Sequence, residues 1–303
     1  MFSICLPIFI VILFGNILYR LKLADDAFIA GSNKLVMNVF LPVLIFNEVA
    51  RSNFQEIFSY LHIVILLGTI IAGFLLCFPV ARMLRLDVAS FRTFVSSSFR
   101  PNAAFVGLPV CFYAFGNQGL TIASIYLAFI APIDNILTVL AYNSAGANRI
   151  NIAKTIKSAF FHPVVIVSLI GIGFSLLKIP LPAFLEKTCA ILGGVALPLA
   201  LLAIGTSISM RQMQGNFQVI FISSLVKLLI IPSVAYGLFV VTGFYDFGLL
   251  EKVMIILLAS PTAQINYIFA SVMNGNPELA SGSIVFSTLM SALVFVFWLS
   301  VLM

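Results

Sequence analysis

Charge is what this chain has least of. Charged residues fill 9% of its 303 positions, against about 25% in an ordinary soluble domain. That deficit excludes a water-soluble fold. With 62% apolar residues and a mean hydropathy of +1.17, the chain reads as a membrane protein. Metal ligands are scarce too, with two histidines and four cysteines (Cys5, Cys77, Cys111, Cys189). The cysteines fall inside apolar segments without paired or metal-type spacing, so neither a disulfide framework nor a zinc site is expected. They read as small buried hydrophobes. The net charge of +6 comes from scattered Lys and Arg, most at the ends of apolar runs. That is a topology pattern, not a nucleic-acid surface. No basic stretch precedes the first apolar run, and Arg20 and Lys22 follow it. A retained first span is expected, not a cleaved signal peptide.

Long apolar runs are what the chain does have. At about 20 residues per crossing, they read as ten spans near 2–19, 29–50, 61–81, 92–115, 119–142, 156–177, 183–206, 216–242, 252–274 and 279–302. Nothing is left over for a soluble catalytic domain. The loops and flanks after spans one, three, five and seven carry Arg20, Lys22, Arg82, Arg85, Arg92, Arg149, Lys154, Lys157 and Arg211. The opposite side carries Arg51, Lys178, Lys187 and Lys252. The positive-inside rule then makes the first side cytoplasmic and both termini extracytoplasmic. The linker 143–155 becomes a cytoplasmic loop dividing residues 1–142 from 156–303.

Those halves resemble each other. LPIFIVILFG from Leu6 aligns with HPVVIVSLIG from His162 at an offset of 156, which also superimposes Leu41–Pro42 on Leu197–Pro198. GNQGLTIASI from Gly116 matches GNPELASGSI from Gly275 at an offset of 159. Five spans is an odd number, so the second copy enters the membrane inverted. Inverted repeats of this kind occur in secondary transporters whose site lies at the midplane. In each half one long apolar segment is interrupted, by RPNAAFVGLP at Arg100–Pro109 and by SPTAQINY at Ser260–Tyr267. Proline removes a backbone donor and clashes with the preceding turn, so Pro101 and Pro109 should break span four and Pro261 span nine. Freed backbone groups survive at membrane depth only where protein or a wet cavity satisfies them.

PNAAFVGLP carries the pattern Pro-Asn-x-x-x-x-Gly-x-Pro and resembles the fourth span of the auxin efflux carrier family, which includes bacterial malate- and malonate-type permeases and plant carriers. LPVLIF at Leu41–Phe46, the segment from His162, VALPLALLAIGTSI at Val195–Ile208 and the stretch from Ser260 are similar to that family as well, so the resemblance covers almost the whole chain. It implies an all-α, ten-helix 5+5 inverted repeat in which broken helices four and nine cross. It further implies a scaffold of helices 1, 2, 6 and 7 that often dimerises, and a transport domain of helices 3–5 and 8–10. The short central linker fits a prokaryotic carrier.

Broken helices expose half-helix N-termini, which attract carboxylates. The expected substrate-binding set is Arg100, Pro101, Asn102, Gly107 and Pro109 in span four, with Pro261, Thr262, Gln264 and Asn266 in span nine. Asn102 either offers its amide to a carboxylate or caps a half-helix. Arg100 either faces a cavity, where a substrate carboxylate could pair with it, or lies near the cytoplasmic surface. Asp134 and Asn135, deep in span five, and Lys227, in span eight, are the expected coupling set. Asp134 either carries a proton or cation for coupling or forms a static pair with Lys227. Lys34 and Glu48 read as structural, and His62 and His162, near span ends, form no metal or catalytic set.

These readings converge on a secondary carrier for a small organic anion, a mono- or dicarboxylate, working by alternating access in the cell membrane. No cofactor is expected, only a coupling ion, H+ or Na+. The partners expected are the anion, membrane lipid and a second copy of the chain. The alternatives are a sodium-coupled bile-acid-type symporter, a channel and a receptor. An enzyme is not expected. An intramembrane aspartyl protease needs two membrane aspartates and only Asp134 qualifies, while a serine protease needs a Ser–His pair.

Overall fold

The computed structural model describes residues 1–144, 156–157, 159, 161–207 and 216–303. The linker beyond Ser144 and the basic residues Arg149, Lys154 and Arg211 lie outside the described residues. Every regular element of the described chain is a helix. Helices run α1 Phe2–Arg20, α2 Asp26–Ala50, α3 Phe54–Ile57, α4 Tyr60–Met83, α5 Val88–Phe99, α6 (103–115), α7 (117–143), α8 Pro163–Leu176, α9 Ala183–Ser207, α10 Phe217–Val241, α11 Leu249–Leu258, α12 Ile265–Val272 and α13 Pro277–Leu302.

Seven of the described helices are long and apolar enough to cross a membrane. The sequence reading has ten spans, and particular residues account for the difference. Span four is cut into α5 and α6 at Arg100–Asn102, and span nine into α11 and α12, leaving pieces too short to count. Gly116, at φ 66° and ψ −158°, kinks an otherwise continuous run and separates α6 from α7. That conformation is open to glycine and strained for residues with a Cβ. Span six begins after His162, at a proline suited to a helix's first turn, so α8 has 14 residues. Arg92 is buried inside α5 and is no loop charge, so it drops out of the topology count.

Prolines inside helices are absorbed locally. Pro42, Pro109 and Pro232 each follow a five-residue π-helical turn, at Val36–Phe40, Ala103–Gly107 and Val226–Ile230. Proline leaves the carbonyl four residues back without its donor, and widening the preceding turn lets the helix continue. Pro109 is therefore not at a break, contrary to the sequence reading; it stands inside α6, two residues beyond the π turn.

Packing is set by small residues as well as by apolar ones. α1 lies along α9, and α2 along α8. A Cβ on Gly15 would strike the Leu202 backbone, and one on Gly205 the Ile12 backbone. Small residues let two helices approach this closely, and Asn16 Nδ2 reaches Gly205 O at 3.1 Å across the contact. On the other flank α4 packs against α5 and α10, and α13 against α5 and α10.

Candidate functional site

The two breaks meet. Arg100 precedes a proline and is pushed out of the helical region, to φ −78° and ψ 115°. The extended segment pairs antiparallel with the second break through an isolated bridge, Pro101 to Thr262. Asn102 N donates to Pro261 O at 2.7 Å, and Ala263 N to Arg100 O at 3.2 Å. Each break thus satisfies backbone groups that the other has freed.

Beside the crossing lies a cavity of about 570 Å³. Arg100, Pro101, Asn102 and Gln264 line it, with Asp134 and Asn135 from α7. Ala103 and Ala104 also line it, in the first turn of α6, where N–H groups have no intrahelical acceptor. The cavity extends toward the end of the bundle that holds Tyr19, Asp26, His162 and Thr206.

Arg100 is the central charge, and it faces the cavity instead of a surface. Its side chain is buried, with Nη1 donating to Thr138 Oγ1 at 3.0 Å and Nη2 to Asn135 Oδ1 at 2.7 Å. Its guanidinium also stands 5.3 Å from the Phe269 ring centroid. Residues 134, 135 and 138 fall on neighbouring positions of one helix face, which is how α7 can present all three groups here. Asp134 is within Coulombic reach of Arg100 and of Lys227. Yet among the described residues it forms no ion pair within 4.0 Å with either, and its Oδ1 has no hydrogen-bond partner. Lys227 lies off the cavity; its ammonium donates to the carbonyl of Leu258.

Asn102 caps α6 and lines the cavity at once. Its Oδ1 accepts from Phe105 N at 3.4 Å, and its amide nitrogen has no partner among the described residues. The remaining predicted residues are used elsewhere. Thr262 Oγ1 donates to Ser97 O at 2.8 Å, and Thr262 N to Ser287 Oγ at 3.0 Å. Asn266 takes a hydrogen bond from Ser96 Oγ at 3.0 Å and gives one to Ser96 O at 3.2 Å. A Cβ on Gly107 would stand 2.8 Å from Leu257 and Ser260, so glycine there lets the two broken helices touch. Gly107, Pro109, Pro261, Thr262, Asn266 and Lys227 do not line the cavity.

Two features escaped the sequence reading. His162 and Asn33 line the cavity, and each has a buried polar atom without a partner, as do Asp134 and Gln264. No sequence spacing relates positions 33 and 162 to the breaks. His62, near a span end in the sequence, is buried and joins Ser59 Oγ at 2.8 Å to Glu251 Oε1 at 2.6 Å. A Ser–His–carboxylate chain therefore exists, but it stands away from the cavity. Among the described residues no group of three or more metal-binding side chains occurs.

Comparison with known proteins decides the class. The sequence profile of the membrane transport protein family matches residues 1–143 and 148–299. The chain belongs to that family. The resemblance to auxin efflux carriers is thereby shown, and the protein is a transporter and not an enzyme. It is 26% identical over 300 residues to a transporter of Methanothermobacter thermautotrophicus, covering 98% of this chain and 97% of that one. It is 23% identical over 297 residues to a protein of Rhizobium meliloti named for malonate transport, covering 95% and 92%. Escherichia coli YfdV, also named a transporter, shares 22% identity over 238 residues, covering 75% and 74%. This is a multi-pass membrane protein.

Proposed function

We propose that this transporter is a secondary carrier that moves a small organic anion, a mono- or dicarboxylate, by alternating access at the crossing of its two broken helices. One observation carries the proposal. A buried arginine lines the cavity, held by the neutral oxygens of Asn135 and Thr138, with no carboxylate within 4.0 Å among the described residues. A cation at membrane depth calls for a counter-charge, and a planar guanidinium suits a carboxylate. Asn102, the first turn of α6 and Gln264 surround the same space with donors. The Rhizobium meliloti relative's name fits a dicarboxylate.

The full architecture belongs to this reading: ten spans, with α5–α6 as the fourth and α11–α12 as the ninth, in a 5+5 inverted repeat. The matched GN motifs support it, because Gly116 and Asn276 stand at the start of the last helix of their respective halves. With the positive-inside assignment, the cavity faces the cytoplasm, both termini are extracytoplasmic and the central loop is cytoplasmic. Asp134, an unpaired carboxyl beside Arg100, is the coupling group for H+ or Na+, and dimerisation runs through α1, α2, α8 and α9.

Reconstitution in liposomes tests the proposal. Purified protein should catalyse saturable counterflow of radiolabelled malonate, competed by other small carboxylates and stimulated by a proton gradient. Stimulation by sodium alone would favour the bile-acid-type alternative. Non-saturable flux without counterflow would make the protein a channel.

A further inference from the structure

Lys227 is fully buried, and its position follows from a proline. Pro232 cannot donate to Leu228 O; the chain answers with the π turn Val226–Ile230, in which Ile231 N reaches back to Val226 O. The carbonyl left over is taken by another helix, since Trp298 Nε1 of α13 donates to Leu228 O at 3.1 Å. Within that braced turn the Lys227 ammonium is aimed at the end of α11, where helix nine breaks.

The last four carbonyls of α11 have no helical donors of their own, and all four are accounted for. Ile255 O accepts from Ala259 N at 2.8 Å, and Leu257 O from Ser260 N at 3.2 Å. Ile256 O accepts from Ser260 Oγ at 3.2 Å. Leu258 O accepts from Lys227 Nζ. A helix C-terminus carries partial negative charge, equivalent to about half an elementary charge, so a buried ammonium there neutralises it where water does not.

We infer that Lys227 is a positioning residue: its ammonium plugs the C-terminal end of α11 and so holds the second break in register against Arg100–Asn102. The structural half of this inference stands on hydrogen bonds alone; the functional half rests on the carrier reading above. Lys227 does not exchange ions in transport. The titratable groups within reach of its charge are Asp134 and Cys77, and proton dependence is left to Asp134.

The test compares Lys227→Met, which keeps length and removes the donor, with Lys227→Arg, which keeps charge and donor, both as full-length protein in liposomes. Hydrogen–deuterium exchange across 258–264 should quicken in Lys227→Met and return toward wild type in Lys227→Arg. The KM for malonate should rise about tenfold in Lys227→Met, as a site misplaced by a fraction of an ångström requires, with the pH profile of uptake unchanged. Two results overturn the inference: exchange at 258–264 unaltered in folded Lys227→Met, or a pH profile flattened by that substitution. Should wild type fail to move malonate, the exchange arm still decides the role of Lys227, while the carrier reading fails separately.

Discussion

The two breaks, between α5 and α6 and between α11 and α12, are alike in backbone and unlike in what their side chains do. Both unwind at an X-Pro pair, both are extended, and each hydrogen-bonds to the other. In the first, Arg100 and Asn102 turn donors toward the cavity. In the second, Thr262 and Asn266 hold their donors against Ser96 and Ser97 of α5, while Gln264 lines the cavity beside the apolar Ala263 and Ile265. On the proposed reading the first break recognises the anion and the second supports it. Two similar backbone breaks therefore need not present similar side chains, because what each side chain meets depends on the helix packed beside it.

The largest expected effect comes from the recognising side. Arg100→Gln removes the cation while keeping hydrogen-bonding capacity, and should raise the KM for malonate about 10- to 100-fold, the range for losing a charge-assisted bond. An unchanged KM would erase the contrast between the breaks. Next, Asp134→Asn keeps the shape and removes the titrating group, so proton-gradient stimulation of malonate uptake should vanish; persistence of that stimulation would exclude Asp134 as the coupling group. Asn102→Ala loses the cap and the cavity amide together. It should destabilise the protein by about 1 kcal/mol and weaken uptake, two readouts that thermal unfolding and KM separate.

On the supporting side, Thr262→Val should lower the unfolding midpoint, through a bond worth about 1 kcal/mol, and leave the malonate KM within twofold or so. A large KM change with unaltered stability would make the second break a recognition element too. Smallest is a control far from both breaks. Asp87 caps α5, and the Ser90 backbone N–H holds its carboxyl below the usual range. A depressed folded value means that the cap's stabilisation is present above the ordinary carboxylate range and is lost as pH falls through the lowered one. Asp87→Asn should keep the cap and remove that acid dependence in unfolding scans, with transport unaffected.

Much of this was legible in the residues themselves. Scarce charge and long apolar runs identified a membrane protein, and Pro101 and Pro261 marked the breaks, because backbone sterics at proline are local and need no partner. Pro109 misled, since whether proline breaks a helix or is absorbed in a π turn depends on what surrounds the freed carbonyl. Arg100 and Asp134 were visible as misplaced charges. That Arg100 is held by Asn135 and Thr138, that Lys227 serves a carbonyl and not Asp134, and that His62 meets Glu251 across 189 positions were not visible. Side-chain partners come from helices distant in sequence, and spacing carries no information about them.

By itself, then, the sequence determined the solvent this protein lives in, the two proline breaks at Pro101 and Pro261 and the family to which it belongs. Hydrophobicity and backbone restrictions act residue by residue, so they can be read without coordinates. Only the tertiary structure decided which polar side chains share a cavity and which are consumed by packing. Those choices depend on how helices cross, which is a property of pairs of surfaces and not of any one stretch of chain.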